Sequence, residues 1–114
     1  MQQRTEWGEM AVHDEVLATL AGVAASESYG VVGMASRRVG DGIAVLLHRE
    51  HLARGVRVTE GQGEYEIDLF VIMGYGVRIG EVGKAIARNV SQTLRQAVGV
   101  APRKVIVHVE GVRK

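Results

Sequence analysis

The chain has 114 residues, no cysteine, a single proline and a formal net charge of +1. That length suits one domain with its own core, and the lack of cysteine excludes disulfides and thiolate metal sites. No apolar run approaches the roughly 18 residues a membrane span needs, and the first residues lack the apolar core of a signal peptide. A cytoplasmic protein is expected.

Residues 1–7 read as a flexible polar tail, and 8–114 as one domain. A short strand is expected over 8–12. From Asp14 to about Ser28 the sequence reads as a helix, with Val16, Leu17, Leu20, Ala21, Val23 and Ala24 apolar. Asp14 and Glu15 stand in its first turn, where negative charge suits the helix dipole. Its small residues, Ala18, Ala21, Gly22, Ala24 and Ala25, would let it lie close against something flat. Gly30 ends the helix, and Val31-Val32-Gly33-Met34-Ala35 reads as a strand. A loop follows over 37–42. Residues 43–52 suit either a buried strand or a short helix, and the spacing of Ile43, Leu46, Leu47 and Leu52 favours the helix. Val56-Arg57-Val58-Thr59 is the first arm of a hairpin whose loop is Glu60-Gly61-Gln62-Gly63.

The second arm carries the strongest pattern. Tyr65-Glu66-Ile67-Asp68-Leu69 alternates apolar and polar, as a strand with one wet face does. The run Leu69-Phe70-Val71-Ile72-Met73 is then apolar on both faces, which expects cover on both sides, mid-sheet or at an interface. Gly74-Tyr75-Gly76 turns the chain into a long amphipathic helix with Ile79, Val82, Ile86, Val90, Leu94 and Ala97 on one side. Gly99 closes it, and Pro102 blocks any continuation. Val105, Val107 and Val109 alternate with Lys104, Ile106 and His108 in a last strand. The fold class expected is α+β, in the order β-α-β-(short α)-β-β-α-β, with two long helices on one face of a small mixed sheet.

Several stretches together resemble the alkaline-shock-protein family of small envelope-stress proteins. They are Gly8-Glu9-Met10-Ala11-Val12, Leu20-Ala21-Gly22-Val23-Ala24-Ala25-Ser26-Glu27, Gly30-Val31-Val32-Gly33-Met34 and Leu52-Ala53-Arg54-Gly55-Val56-Arg57-Val58. Tyr75-Gly76-Val77-Arg78-Ile79 and the closing Val105-Ile106-Val107-His108-Val109-Glu110-Gly111-Val112 extend the match over nearly the whole chain from Gly8. The resemblance implies a non-enzymatic cytoplasmic scaffold of envelope homeostasis that self-associates and docks to a membrane-anchored partner. It carries no catalytic residues or cofactor. Some family members are encoded beside fatty-acid kinase components, so a regulatory role in lipid metabolism is an alternative. His48-Arg49-Glu50-His51 departs from the lysine- and asparagine-rich stretch expected of the family there.

The residues themselves offer little chemistry. Gly74-Tyr75-Gly76-Val77-Arg78-Ile79-Gly80 places glycines between strand and helix, where backbone N–H groups can meet a phosphate. Ile79 stands where a dinucleotide fingerprint needs its third glycine, and no P-loop lysine pair is present. Close helix–sheet packing explains the glycines as well. His48 and His51 are three residues apart with no third ligand in view, so surface histidines are the better reading. His108 falls on the outer face of the last strand. No serine sits in a nucleophile turn.

Two surfaces remain as candidates. Arg37, Arg38, Arg49, Arg54 and Arg57 could meet a partner or an anionic surface, and Lys84, Arg88 and Arg95 form a second basic stripe. The hairpin arms, with Val56, Val58, Tyr65 and Ile67, are where self-association is expected, because an unpaired sheet edge offers N–H and C=O groups to another copy. An RNA- or ribosome-associated module is the runner-up reading, though the residues give nucleic acid little support. Net charge is near neutral, no Gly-x-x-Gly clamp stands between helices, and no aromatic pair sits on a strand.

Overall fold

The computed structural model describes residues 1–36 and 49–114. Its centre is one strand, β5 (Glu64–Gly74), paired along both edges. On one edge β4 (Val56–Gly61) runs antiparallel to residues 64–69, and β3 (Val31–Met34) runs antiparallel to residues 71–73. On the other edge β6 (Lys104–Arg113) runs parallel to β5 from Glu66 to Gly74. The α+β class and the mixed sheet agree with the sequence. That β3 and β4 share one edge of β5 end to end had no signal in it.

The double pairing explains the composition of β5. Tyr65, Ile67, Leu69, Val71 and Met73 face the helices and join the main core. Phe70 and Ile72 face the other way and form a second cluster with Ala35. The alternation of the first half and the unbroken apolar run of the second are thus the two halves of one central strand. A bulge at Glu110 interrupts β6, because Val71 pairs with Val109 but Ile72 with Gly111.

Both helices cover the same face. α1 (Asp14–Ser26) buries Leu17, Ala18, Ala21, Gly22 and Ala25. The sequence predicts a wider face, but Val16 and Val23 are exposed and the small-residue side is the one that packs. Close approach is the reason, since a Cβ on Gly22 would stand 3.0 Å from the Leu52 carbonyl oxygen. α2 (Ile79–Val98) buries Val82, Ile86, Val90, Leu94 and Val98. Ile79 and Ala97, expected on this stripe, are exposed. Steps of four residues drift by roughly 40° each around a helix, so the stripe winds towards Val98 and turns Ala97 out. Gly99 ends α2 at a φ of 87° and its N–H donates to Arg95 O at 2.9 Å, closing the helix as its sequence suggested.

Two segments differ from the sequence reading. Residues 2–5, read within a polar tail, form β1 (Gln2–Thr5), which pairs with β2 (Gly8–Ala11) in a separate hairpin. The helix expected within 43–52 overlaps a 3-10 helix at Arg49–Gly55, bent at His51, while residues 43–48 lie outside the described residues. The 3-10 helix packs against α1.

Two outcomes test this packing. Ile86 is fully buried, so Ile86→Asp sets an unpaired carboxylate in the core and should cost about 3–5 kcal/mol in chemical denaturation. Tyr65 is also buried; its hydroxyl donates to Val100 O at 2.5 Å, and burial raises its pKa from 10.0 to about 12. The neutral phenol is therefore the form that the fold favours. Its contribution is complete below about pH 10 and is lost as pH rises through about 12. Tyr65→Phe should lose about 1 kcal/mol at neutral pH and show a flatter stability profile between those two values than the parent.

Candidate interaction surfaces

The sheet face opposite the helices carries an ordered polar cluster drawn from three strands. Antiparallel register sets Arg57 of β4 beside Asp68, and parallel register sets His108 of β6 beside Phe70. The nearly buried Asp68 has one carboxylate oxygen 2.8 Å from His108 Nε2 and the other 3.6 Å from Arg57 Nε. The His108 ring stacks on Phe70, with centroids 4.6 Å apart and planes 8° from parallel. The Arg57 guanidinium lies 5.6 Å from the centre of the same ring. Each member is held by another: the carboxylate is shared by two partners, and the Phe70 ring is flanked by both. Such an arrangement ties three strands together.

A second tie fixes the start of β6. Arg103 pairs with Glu66 and, through Nε, with Glu64 at 3.5 Å, while its backbone N–H donates to Tyr65 O at 2.7 Å. This anchors the chain leaving α2 to the hairpin loop that opens β5.

The arginines singled out in sequence do not all fall on one surface that the structure describes. Arg37 and Arg38 lie outside the described residues, as does the side chain of Arg49. Arg54 is exposed on the 3-10 helix. Arg57 is engaged with Asp68 and Phe70. On α2, Lys84, Arg88 and Arg95 are all exposed on the side away from the core. His48 lies outside the described residues, and His51 is half-buried at the bend of the 3-10 helix. Among the described residues no three His, Asp or Glu side chains gather as a metal site would require. The Gly74-Tyr75-Gly76 turn has Gly76 at a φ of 93° and leads into a helix whose N-cap, Arg78, makes no side-chain cap.

Of the four residues expected at a self-association surface, three are buried: Val56, and Tyr65 and Ile67 on β5, whose backbone is already paired on both edges. Val58 is half-buried, and with Val56 below it borders a groove of about 460 Å³ between β4, the 3-10 helix and the start of α1.

Sequence reasoning overlooked the placement of the aromatic residues. Of five, only Tyr65 and Phe70 are buried. Trp7 is 90% exposed at the tip of the β1–β2 hairpin, Tyr29 is 86% exposed and Tyr75 71%. Tyr29 and Tyr75 belong to one corner, because Gly74 N–H donates to Gly30 O at 2.9 Å and Tyr75 N–H to Arg113 O at 2.7 Å. Lys114 Nζ lies 5.5 Å from the Tyr75 ring. The only available signal was negative: none of these three rings sits inside an apolar period.

Comparison with known proteins gives a consistent picture. The chain is 38% identical over 114 residues to the uncharacterised protein YloU of Bacillus subtilis, covering 99% of this chain and 95% of that one. It is 36% identical over 110 residues to the uncharacterised protein Spy1614 of Streptococcus pyogenes, covering 96% and 91%. A second Bacillus subtilis protein, YqhY, is 27% identical over 109 residues, covering 96% and 80%. No solved structure matches. The model of the alkaline-shock-protein family, described as having a cell envelope-related function, matches residues 2–114. The chain belongs to the alkaline-shock-protein family.

Proposed function

We propose that this protein is a non-enzymatic scaffold of the cell envelope, working from the cytoplasm, that self-associates and docks to a membrane-anchored partner. One observation carries the reading: the chain spends three of its five aromatic side chains on its surface. Aromatic rings bury large area with little loss of conformational freedom and dominate the centres of protein interfaces. A chain with so few of them gains nothing for its own core by placing them in water. The charged cluster on the open sheet face supports the same reading, since Asp68, Arg57 and His108 satisfy one another. The envelope-related function of the family gives the setting. Among the described residues no helix is long and apolar enough to cross a membrane, so the reading assigns attachment to the partner.

A second reading, an RNA-associated module, draws on the corner formed by Tyr29, Tyr75, Arg113 and Lys114. Exposed rings beside cations are the elements of a base-stacking platform.

Capture from native cell extract, with identification of both protein and RNA, separates the two. The scaffold reading expects a protein with its own membrane anchor to co-purify with the tagged chain. Tyr29→Ser together with Tyr75→Ser should abolish that capture and change stability by no more than about 0.5 kcal/mol, as is usual for exposed positions. Recovery of RNA that the same double variant loses would move the assignment to the second reading.

A further inference from the structure

The most conspicuous unexplained feature is the β1–β2 hairpin. Its two strands pair with each other, as a sheet apart from the main one, and nearly every side chain on them is exposed. A lone two-stranded hairpin is at best marginally stable in water. Yet its tip is built with care. Thr5 Oγ1 accepts from Trp7 N–H at 3.2 Å and donates to Gly8 O at 3.1 Å, fixing the turn that holds the indole outward. Arg4 and Glu9 pair across the strands behind it at 3.7 Å. An ordered turn that displays the chain's one tryptophan is a preformed anchor without a pocket.

A matching pocket exists elsewhere on the same molecule. The groove beside α1 is floored by the buried Ala18 and Val56, walled by the half-buried Ala53 and Val58, and rimmed by exposed Asp14, Glu15 and Arg54. Its volume of about 460 Å³ lies within the range in which proteins seat small apolar groups. Its chemistry suits an indole: aliphatic walls, a carboxylate to accept the indole N–H, and a guanidinium able to lie over the ring. Both sides carry mixed charge, so opposite signs can meet: Glu6 beside Trp7 is opposite to Arg54, and Arg4 is opposite to Asp14 and Glu15.

We infer that the Trp7 hairpin of one copy docks into the groove between α1, the 3-10 helix and β4 of a second copy. This rests on the self-association in the proposed function and names the surface responsible. Hairpin and groove are different patches, so the contact is head-to-tail. One end of the assembly still offers a free hairpin and the other a free groove, so it extends until it closes into a ring or grows as a filament. An anionic membrane is the poorer occupant for this tip, because it offers Glu6 no cation such as Arg54.

The single tryptophan makes the test direct. Intrinsic fluorescence and light scattering are followed together over a concentration series of the full chain. The expected result is a blue shift of Trp7 emission and protection from acrylamide quenching that rise in step with mass. Trp7→Ala should weaken assembly by roughly thirty-fold or more, as loss of a central aromatic anchor does. Arg54→Glu, at an exposed position, should weaken it by roughly tenfold. Mixing the two variants should restore binding but stop at pairs, since one keeps its groove and the other its hairpin. Glu6→Arg combined with Arg54→Glu in one chain should recover assembly. Circular dichroism establishes that each variant is folded.

Assembly of the parent with Trp7 emission still that of a solvated indole overturns this surface and leaves the scaffold reading standing. A parent that stays monomeric throughout overturns both. Failure of the folded variants to pair on mixing overturns the head-to-tail contact. So does a blue shift that is already complete while light scattering still shows a monomer, or one that appears only with anionic vesicles.

Discussion

Everything in this fold is arranged around the double pairing of β5. A strand with hydrogen-bonding neighbours on both edges cannot bend to suit its surroundings, so the elements around it adapt to its length and register. The eleven residues of β5 exceed what β4 alone can pair, and β3 takes the remainder of that edge. The chain must therefore enter the same edge twice, once before and once after the segment that ends in the 3-10 helix. The parallel partner β6 needs a crossover of a dozen residues or more, and α2 supplies it. The long helix is thus a topological requirement as well as a cover for the core.

With β5 fixed, the two faces of the sheet divide the work. The helix face is aliphatic and dry, and it carries most of the hydrophobic stabilisation. The opposite face holds Asp68 at the meeting of three strands, where it can be nearly buried only because Arg57 and His108 reach it from either side. A buried carboxylate with two partners adds specificity of register more than net stability, since desolvation offsets much of the attraction. A slip of one residue in either neighbour would send its partner to the wrong face.

The sequence revealed those parts that depend on local period and concealed those that depend on contact. The alternation of β5, its switch to an unbroken apolar run, the stripe of α2 from Val82 to Leu94 and the Gly99 stop all follow from spacing along one element, and all are present. The buried side of α1 is harder to read. Two faces compete on that helix, a larger-residue one through Val16 and Val23 and a smaller-residue one through Ala18, Gly22 and Ala25. Only the proximity of Leu52 decides between them. Alternation puts His108 on the correct side of its strand, but its link to Asp68 depends on the parallel register of β6 against β5, which no periodicity encodes. Arg57 reads as plain surface charge for the same reason. Trp7 reads as part of a tail because a four-residue strand of Gln, Gln, Arg and Thr has no apolar alternation to announce it.

The tightness of the core connects these points to function. A Cβ on Gly55 would stand 2.9 Å from the Ala35 carbonyl oxygen, and one on Gly22 would be 3.0 Å from that of Leu52. The first contact sets the end of the 3-10 helix against the residue after β3, and the second sets α1 against the 3-10 helix, so both draw together the elements around the core. Aliphatic side chains and methionines fill the main core, with Tyr65 the one ring among its buried residues. Tyr65 is accommodated at the open end of β5, where its hydroxyl reaches Val100 O beyond the end of α2, and Phe70 lies on the other face altogether. The remaining three aromatic residues lie on the surface. Their exposure is therefore compatible with a stable monomer core, and it also equips the surface with large, rigid apolar groups. An aliphatic interior closed around one central strand and large rings left on the surface are thus two sides of one distribution of side chains.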